Sequence, residues 1–153
     1  MNQTFMEIYG FVPLEDEEKR EFADRYMMII DPKFIKVVEA KDGLIGFAIG
    51  IPDLSEGVLK AHGRIFPFGI FKILRASKRS KKLLMLLGGV RKDYRGKGID
   101  VLMAVKLFEA CIIYKMELID LHLVLEVNTK MRAECERIGG KVVKRFRIYQ
   151  KDL

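Results

Sequence analysis

"KLLMLLGGVRKDYRGKGID", residues 82–100, decides how this chain is built. After Lys82 its first residues are continuously apolar, as expected of a strand covered on both faces. Two closely spaced glycines, Gly96 and Gly98, follow among Arg91, Lys92, Arg95 and Lys97. Behind them Val101, Leu102, Val105, Phe108 and Ile112 recur at helical spacing, which predicts a helix over about 98–115. A strand, a glycine turn and a helix in this order make a natural anion site. Successive backbone N–H groups from Arg95 to Asp100 can converge on a negative group at the helix N-terminus. Gly96 and Gly98 let that group come close to the backbone, and Arg95 and Lys97 add positive charge. The plainer reading of the same residues is a tight connection with solvated basic side chains.

Two familiar phosphate patterns do not fit. A P-loop places four residues between its first glycine and a Gly-Lys-Ser/Thr triplet, because the hydroxyl holds magnesium. Here six residues separate Gly89 from Gly96, and Lys97 is followed by Gly98. A dinucleotide fingerprint needs a third glycine where Val101 stands.

Outward from the turn, "LHLVLEV" (121–127) alternates like a strand, and Met131, Cys135 and Ile138 mark a short helix that ends at Gly139-Gly140. "KVVKRFRIYQ" (141–150) alternates like a last, partly exposed strand. Upstream, "KFIKVVEA" and "LIGFAIGI" flank "KDG", a hairpin signal. Pro52 and Asp53 end that ladder and open a short helix or loop through Gly63. In "RIFPFGIFKILRASKRSKK" (64–82), Pro67 starts a short apolar helix with a basic tail of Lys78, Arg79, Lys81 and Lys82. A helix covering the sheet, with a solvated basic end, is favoured there over an interfacial membrane helix. Acidic residues after Pro13, then Phe22, Tyr26 and Ile29, predict a helix over about 15–29, stopped by Asp31-Pro32. The order αββ(α)βαβαβ implies an α/β (α+β) fold: a mixed sheet with helices on both faces.

The chain has 153 residues, enough for one domain with its own core, and it is read as one domain over 1–153. Residues 1–60 carry 7 basic and 12 acidic side chains, residues 61–153 carry 21 and 9, so the second part favours an anionic partner. Cys111 and Cys135 sit in apolar stretches and are read as reduced thiols of a cytoplasmic protein without a signal peptide. No apolar run reaches membrane-spanning length. Two histidines, His62 and His122, without clustered cysteines exclude the usual zinc patterns. No nucleophile elbow is present.

Taken together, residues 83–149 resemble the GNAT superfamily of N-acetyltransferases, with the hairpin at 34–51 in keeping. The family's phosphate motif, Arg/Gln-x-x-Gly-x-Gly/Ala, falls on Arg95, Gly98 and Asp100. The usual first strand is missing, as in a shortened member or a piece of a longer protein. The resemblance implies a mostly antiparallel sheet with a splayed parallel pair, here 83–90 and 121–127. It implies acyl transfer from acetyl-CoA or another acyl-coenzyme A to a small-molecule or peptide amine. The pantetheine arm would bond near Leu87 to Val90, engaging Gly89 and Val90. The pyrophosphate would rest on Arg95, Gly96, Lys97, Gly98, Ile99 and Asp100. Asn128 matches an asparagine that often lies near the cofactor, and it also reads as a helix N-cap.

Three positions depart from the pattern. Asp100 stands where the family has Gly or Ala, and a carboxylate there opposes a pyrophosphate. Cys135, seven residues after Asn128, replaces a tyrosine that acts as general acid, while its plainer role is core packing. The strand before the turn has no ionisable base. Glu126 is the nearest candidate, and it otherwise reads as a solvated strand carboxylate. The expected function is therefore an N-acyltransferase with Glu126 and Cys135 as catalytic candidates. The alternative is a GNAT-fold module that binds coenzyme A or a protein partner without catalysis. Nucleic-acid binding finds support only in "KRFRIY" and is not expected, no metal is expected, and a homodimer is left open.

Overall fold

The computed structural model describes residues 15, 17–18, 20–21, 30–121, 123–147, 149 and 151. Of the helix predicted over 15–29, residues 17, 18, 20 and 21 are helical, while Phe22, Tyr26 and Ile29 lie outside the described residues, as does His122. The chain divides into two compact units, Met1–His122 and Leu123–Leu153.

In the first unit Asp31 accepts the Lys33 N–H (3.1 Å) and so starts a short 3-10 turn at Pro32. That turn drops Phe34 into the core, where it is 2% exposed. Strands β1 (Ile35–Ala40) and β2 (Gly43–Pro52) form the expected antiparallel hairpin around Lys41-Asp42. Strand β3 (Lys82–Val90) lies antiparallel on the other side of β2, from Gly46 opposite Val90 to Pro52 opposite Leu83. A three-residue strand β4 (Leu118–Asp120) completes the order β1-β2-β3-β4, parallel to β3. The sheet is thus mixed, with one parallel pair, as expected.

Helices α1 (Ser55–Lys60) and α2 (Gly69–Arg79) follow β2. The prediction had α2 covering the sheet; its main partner is instead α1. The reason is Gly57, whose missing side chain admits α2: a Cβ there would stand 2.6 Å from the Ile73 Cα. Helix α3 (Ile99–Ile113) packs on the sheet, and its Leu107, Ala110 and Cys111 meet Phe34 and Leu83 in one apolar cluster. Gly46 in β2 makes room for the first turns of α3, since a Cβ there would stand 3.0 Å from Ile99 Cγ2 and 3.3 Å from Met103.

The second unit holds one helix, α4 (Thr129–Arg137). Asn128 caps it by accepting the Met131 N–H at 3.2 Å. Gly139 (φ +85°) ends it in the left-handed conformation that favours glycine. Two expected strands are not formed. In the stretch 121–127, Leu123 has φ +56°, and the Asn128 and Thr129 amides turn back to the carbonyls of Leu125 (3.0 Å) and Val127 (3.0 Å). The parallel partner of β3 therefore lies earlier, at Leu118–Asp120. Residues 141–147 form no strand either, and Val142, Val143 and Phe146 stand exposed. Alternation describes a half-buried strand only where a neighbour supplies the ladder and a face to bury.

Candidate functional site

Strand β3 has two different edges. One is paired with β2 along its length, from Leu83 to Val90. The other meets β4 only from Lys82 to Leu84. From Met85 to Val90 that edge has no strand partner among the described residues, so it presents a row of backbone donors and acceptors. Of the continuously apolar run, only Leu83 is fully buried, and most of the rest is half-buried. Burial on both faces was expected, and the bare edge is where the expectation misses.

This open edge leads into the turn. A 3-10 turn (Lys92–Tyr94) comes first, and its end is closed by the Arg95 N–H bonding the Lys92 carbonyl at 3.4 Å. Gly96 (φ +74°) and Gly98 (φ +77°) then both take left-handed backbone, costly for any residue with a side chain. A Cβ on either would meet nothing within 4 Å, so conformation rather than crowding selects glycine, and the space before the turn is open. Gly98 is the N-cap of α3, and no side chain caps the helix there. The amides of its first turn, with the positive end of a 15-residue helix dipole, thus face outward.

A network that sequence reading missed holds this turn in place. The Arg91 amide bonds the Ile45 carbonyl (2.8 Å), and its guanidinium pairs with Asp93 (2.8 and 2.9 Å) and with Asp42 in the β1–β2 turn. The Tyr94 hydroxyl also donates to Asp42 (3.1 Å), while Arg91 and Lys97 flank the Tyr94 ring at 4.7 and 4.6 Å from its centroid. Hydrogen bonds from Arg91 hold the Asp42 and Asp93 carboxyls below their usual range. The bond to Asp42 pushes the Tyr94 phenol up, and Asp93 and then Asp42 push the Arg91 guanidinium up. The only trace in the sequence was Asp42 in "KDG", which reads as ordinary turn chemistry.

Gly89 and Val90 end β3 opposite Phe47 and Gly46. Arg95 directs its Nε to the Val90 carbonyl (3.2 Å), tying the two ends of the turn together. The Lys97 ammonium rests on Tyr94 and is otherwise exposed. Ile99 points its side chain toward Gly46. Asp100 is half-buried in the first turn of α3. Residues 89, 90 and 95–100 therefore come together as one feature of the first unit.

The other candidates belong to the second unit. Asn128 is the α4 N-cap. The Glu126 carbonyl accepts from Arg132 (3.3 Å), and its exposed carboxylate lies 4.0 Å from Arg145. Cys135 is half-buried on α4, and burial, then the neighbouring Glu134 carboxylate, push its thiol up, so it stays protonated at neutral pH. Among the described residues no group of three or more His, Cys, Asp or Glu side chains could hold a metal ion.

The architecture is that of the GNAT acetyltransferases. The chain aligns with the aminoglycoside acetyltransferase AAC(6')-Iy in complex with the bisubstrate analog CoA-S-monomethyl-acetylneamine, at a TM-score of 0.57 and 14% identity, over 98% of this chain and 88% of that one. An acetyltransferase from Trypanosoma brucei aligns at a TM-score of 0.50 and 17% identity, over 93% of this chain and 82% of that one. No protein-family profile matches the chain. Among curated proteins it is similar to Protein YghO of Escherichia coli (strain K12), 30% identical over 99% of this chain and 40% of that protein. It is also similar to a bacterial ceramide synthase of Caulobacter vibrioides, 26% identical over 100% of this chain and 41% of that protein. The chain spans about two fifths of the length of these curated relatives.

Proposed function

We propose that the chain is the acyl-coenzyme A-binding part of an N-acyltransferase, and that the turn at Gly96–Asp100 cradles the pyrophosphate. The observation that carries this reading is the pairing of two features. The β3 edge has no strand partner from Met85 to Val90 among the described residues, and it runs directly into two left-handed glycines at an uncapped helix N-terminus. The first offers backbone bonds to an amide-bearing arm, and the second offers amides and a dipole to phosphates. The open space before Gly96 and Gly98 fits a ligand close to the backbone.

Bound acyl-coenzyme A supplies an activated acyl carbonyl. The chain's own residues do the rest. Amides of the β3 edge orient the arm and polarise the carbonyl. An amine acceptor must shed a proton before it attacks, the task we assign to Glu126 directly or through water. The departing sulfur must gain a proton, and the Cys135 thiol, protonated at neutral pH, has one to give. Support for a lipid amine as acceptor comes from the similarity to the ceramide synthase, ceramide being an N-acylated amino alcohol. The absence of an ionisable group along Leu83–Val90 favours the second reading, a coenzyme A-binding module without turnover.

Calorimetric titration with coenzyme A at low salt tests the reading. The wild-type chain is expected to bind, and Gly98→Val to weaken binding at least about tenfold, because a β-branched residue resists left-handed backbone and fills the space before the turn. No binding by the wild type would sink the proposal. Cys135→Ala should then lower single-turnover rate while leaving coenzyme A affinity unchanged. Retained binding with no turnover on any amine would select the second reading.

A further inference from the structure

Beyond the turn, a concentration of large exposed apolar side chains in the first unit lies between α1 and the middle of α2. Leu59 is 74% exposed, Ile65 61%, Phe66 87%, Phe68 71% and Phe71 67%, with Leu74 beside them on α2. The loop that displays them is built rather than loose. The Ile70 amide bonds the Ile65 carbonyl at 2.9 Å, and the Arg64 amide bonds the Ala61 carbonyl at 3.0 Å. Gly69 is buried so close to the Arg64 carbonyl that a Cβ would come within 1.7 Å of that oxygen. The segment is thus folded tightly onto the start of α2 with its aromatic rings outside. Single exposed apolar residues are ordinary, but a cluster of large ones marks a binding surface.

Charge says what would cover it. Residues 57–82 contain eight basic side chains and no acidic one. Arg64, Arg75 and Lys78 have no carboxylate partner among the described residues. On α2, Gly69, Ile73 and Ala76 follow the face toward α1, Phe71 and Leu74 lie on an outer stripe that ends at Lys78, and Lys72, Arg75 and Arg79 form the adjoining stripe. Aromatic and aliphatic residues beside a basic stripe match an anionic bilayer surface, where rings enter the headgroup layer and long cationic side chains reach the phosphates. A surface for single-stranded nucleic acid would interleave bases' stacking partners with cations instead.

We propose that α1, the 61–68 loop and α2 form a docking face for anionic lipid bilayers, with Phe66, Phe68 and Phe71 inserted at headgroup depth and Arg64, Arg75 and Lys78 on the lipid phosphates. No helix among the described residues is long and apolar enough to cross a membrane, and the proposed contact is with the bilayer surface. It does not depend on coenzyme A, and its test omits that molecule. The test is flotation of the 153-residue chain with vesicles of phosphatidylcholine alone, or of phosphatidylcholine mixed with phosphatidylglycerol. The wild type should float with the mixed vesicles, weakly or not at all with the neutral ones, and less as salt rises. Phe66→Ser combined with Phe71→Ser should reduce partitioning at least about tenfold, given the apolar area withdrawn. Arg75→Glu with Lys78→Glu should remove the preference for anionic vesicles. Phe66→Ser alone, in the loop, keeps the test decisive if the double variant melts at a lower temperature, and it too should float less than the wild type. Failure of the wild type to float, or equal flotation of the aromatic variants, overturns the proposal. So does binding to a labelled oligonucleotide but not to vesicles. Self-association that the aromatic variants abolish, without flotation, would assign the face to a second copy of the chain.

Discussion

Residues 82–113 and 121–140 read alike in the sequence. Each begins with an apolar, strand-like run, passes a polar connection and enters a helix. In the structure they part company. The first run becomes β3, paired with β2 and anchored by fully buried Leu83, and its helix α3 covers the sheet with Leu107, Ala110 and Cys111. The second run turns at Leu123 instead, and α4 has no buried residue along its nine positions. The difference teaches that a strand pattern is a promise about one face, kept only when another element receives that face. A nine-residue helix with nothing buried has little beyond its caps to hold it. Asn128 at one end and the Gly139–Gly140 stop at the other supply those caps.

The sharpest way to break the comparison is to truncate one apolar residue in each region. Leu83→Ala empties a site that is 0% exposed and should cost about 2–5 kcal/mol in chemical denaturation. Val127→Ala, at a position 83% exposed, should stay within about 0.5 kcal/mol. Comparable losses would show that the second run buries its apolar side chains in solution, and the contrast would fall.

The two cysteines sharpen it further, one standing in each region. Cys111 is 5% exposed in the main apolar cluster, whereas Cys135 is half-buried on α4. Burial pushes both thiols up, so reactivity follows access to solvent rather than ready ionisation. Cys135 should therefore label with a thiol reagent on the order of a hundredfold faster than Cys111, whose exposure requires opening of the core. Equal rates would mean that the two regions open together.

What the sequence made legible follows the same line. The hairpin at 35–52, the β3–turn–α3 unit and the cap at Asn128 are local: a turn signal, a periodicity or a cap states them within a few residues. The site's glycines were readable for the same reason, since left-handed backbone at Gly96 and Gly98 demands glycine wherever it occurs. The rest depends on distant partners. Nothing in "LID" at 118–120 announces it as the parallel neighbour of β3, because three residues carry no period. Gly57, which gives α2 to α1, looks like any other helical glycine until Ile73 is laid against it. The Asp42–Arg91–Tyr94 network joins residues about fifty positions apart, and each member has a local explanation of its own.

A smaller effect tests the turn within the first region. Asp100 places a half-buried carboxylate in the first turn of α3, favourable toward the helix dipole and unfavourable toward a pyrophosphate. Asp100→Ala should tighten coenzyme A binding about threefold to tenfold, in line with one like-charge contact at a partly exposed site. The gain should shrink as salt rises. Weaker binding in this variant would mean that the carboxylate serves the cradle, by holding its backbone, more than it opposes the ligand.

The smallest effect concerns the network behind the turn. The Asp42 and Asp93 carboxyls are held below their usual range, chiefly by Arg91. A depressed folded-state carboxyl contributes stability above the unfolded carboxylate pKa, and that contribution is lost as pH falls through the lower folded value. Tyr94 works in the opposite direction. Its phenol is raised by the bond to Asp42, so its contribution is present below the ordinary phenol pKa and lost as pH climbs through the folded value. The network should therefore stabilise across the neutral range and fade at both ends. Both carboxylates are solvent-exposed and Tyr94 is only half-buried, which keeps the effect small. Asp42→Asn should lower the melting temperature slightly at neutral pH, and the gap from wild type should close in acid, where both chains lack the ionised carboxylate. Coenzyme A affinity offers an independent reading, because the network holds the turn rather than touching a ligand. If Asp42→Asn weakens binding more than it lowers the melting temperature, Asp42 acts by positioning the glycine turn. A gap that persists unchanged into strong acid would mean that the variant acts through the hairpin's own geometry and not through the charge of Asp42.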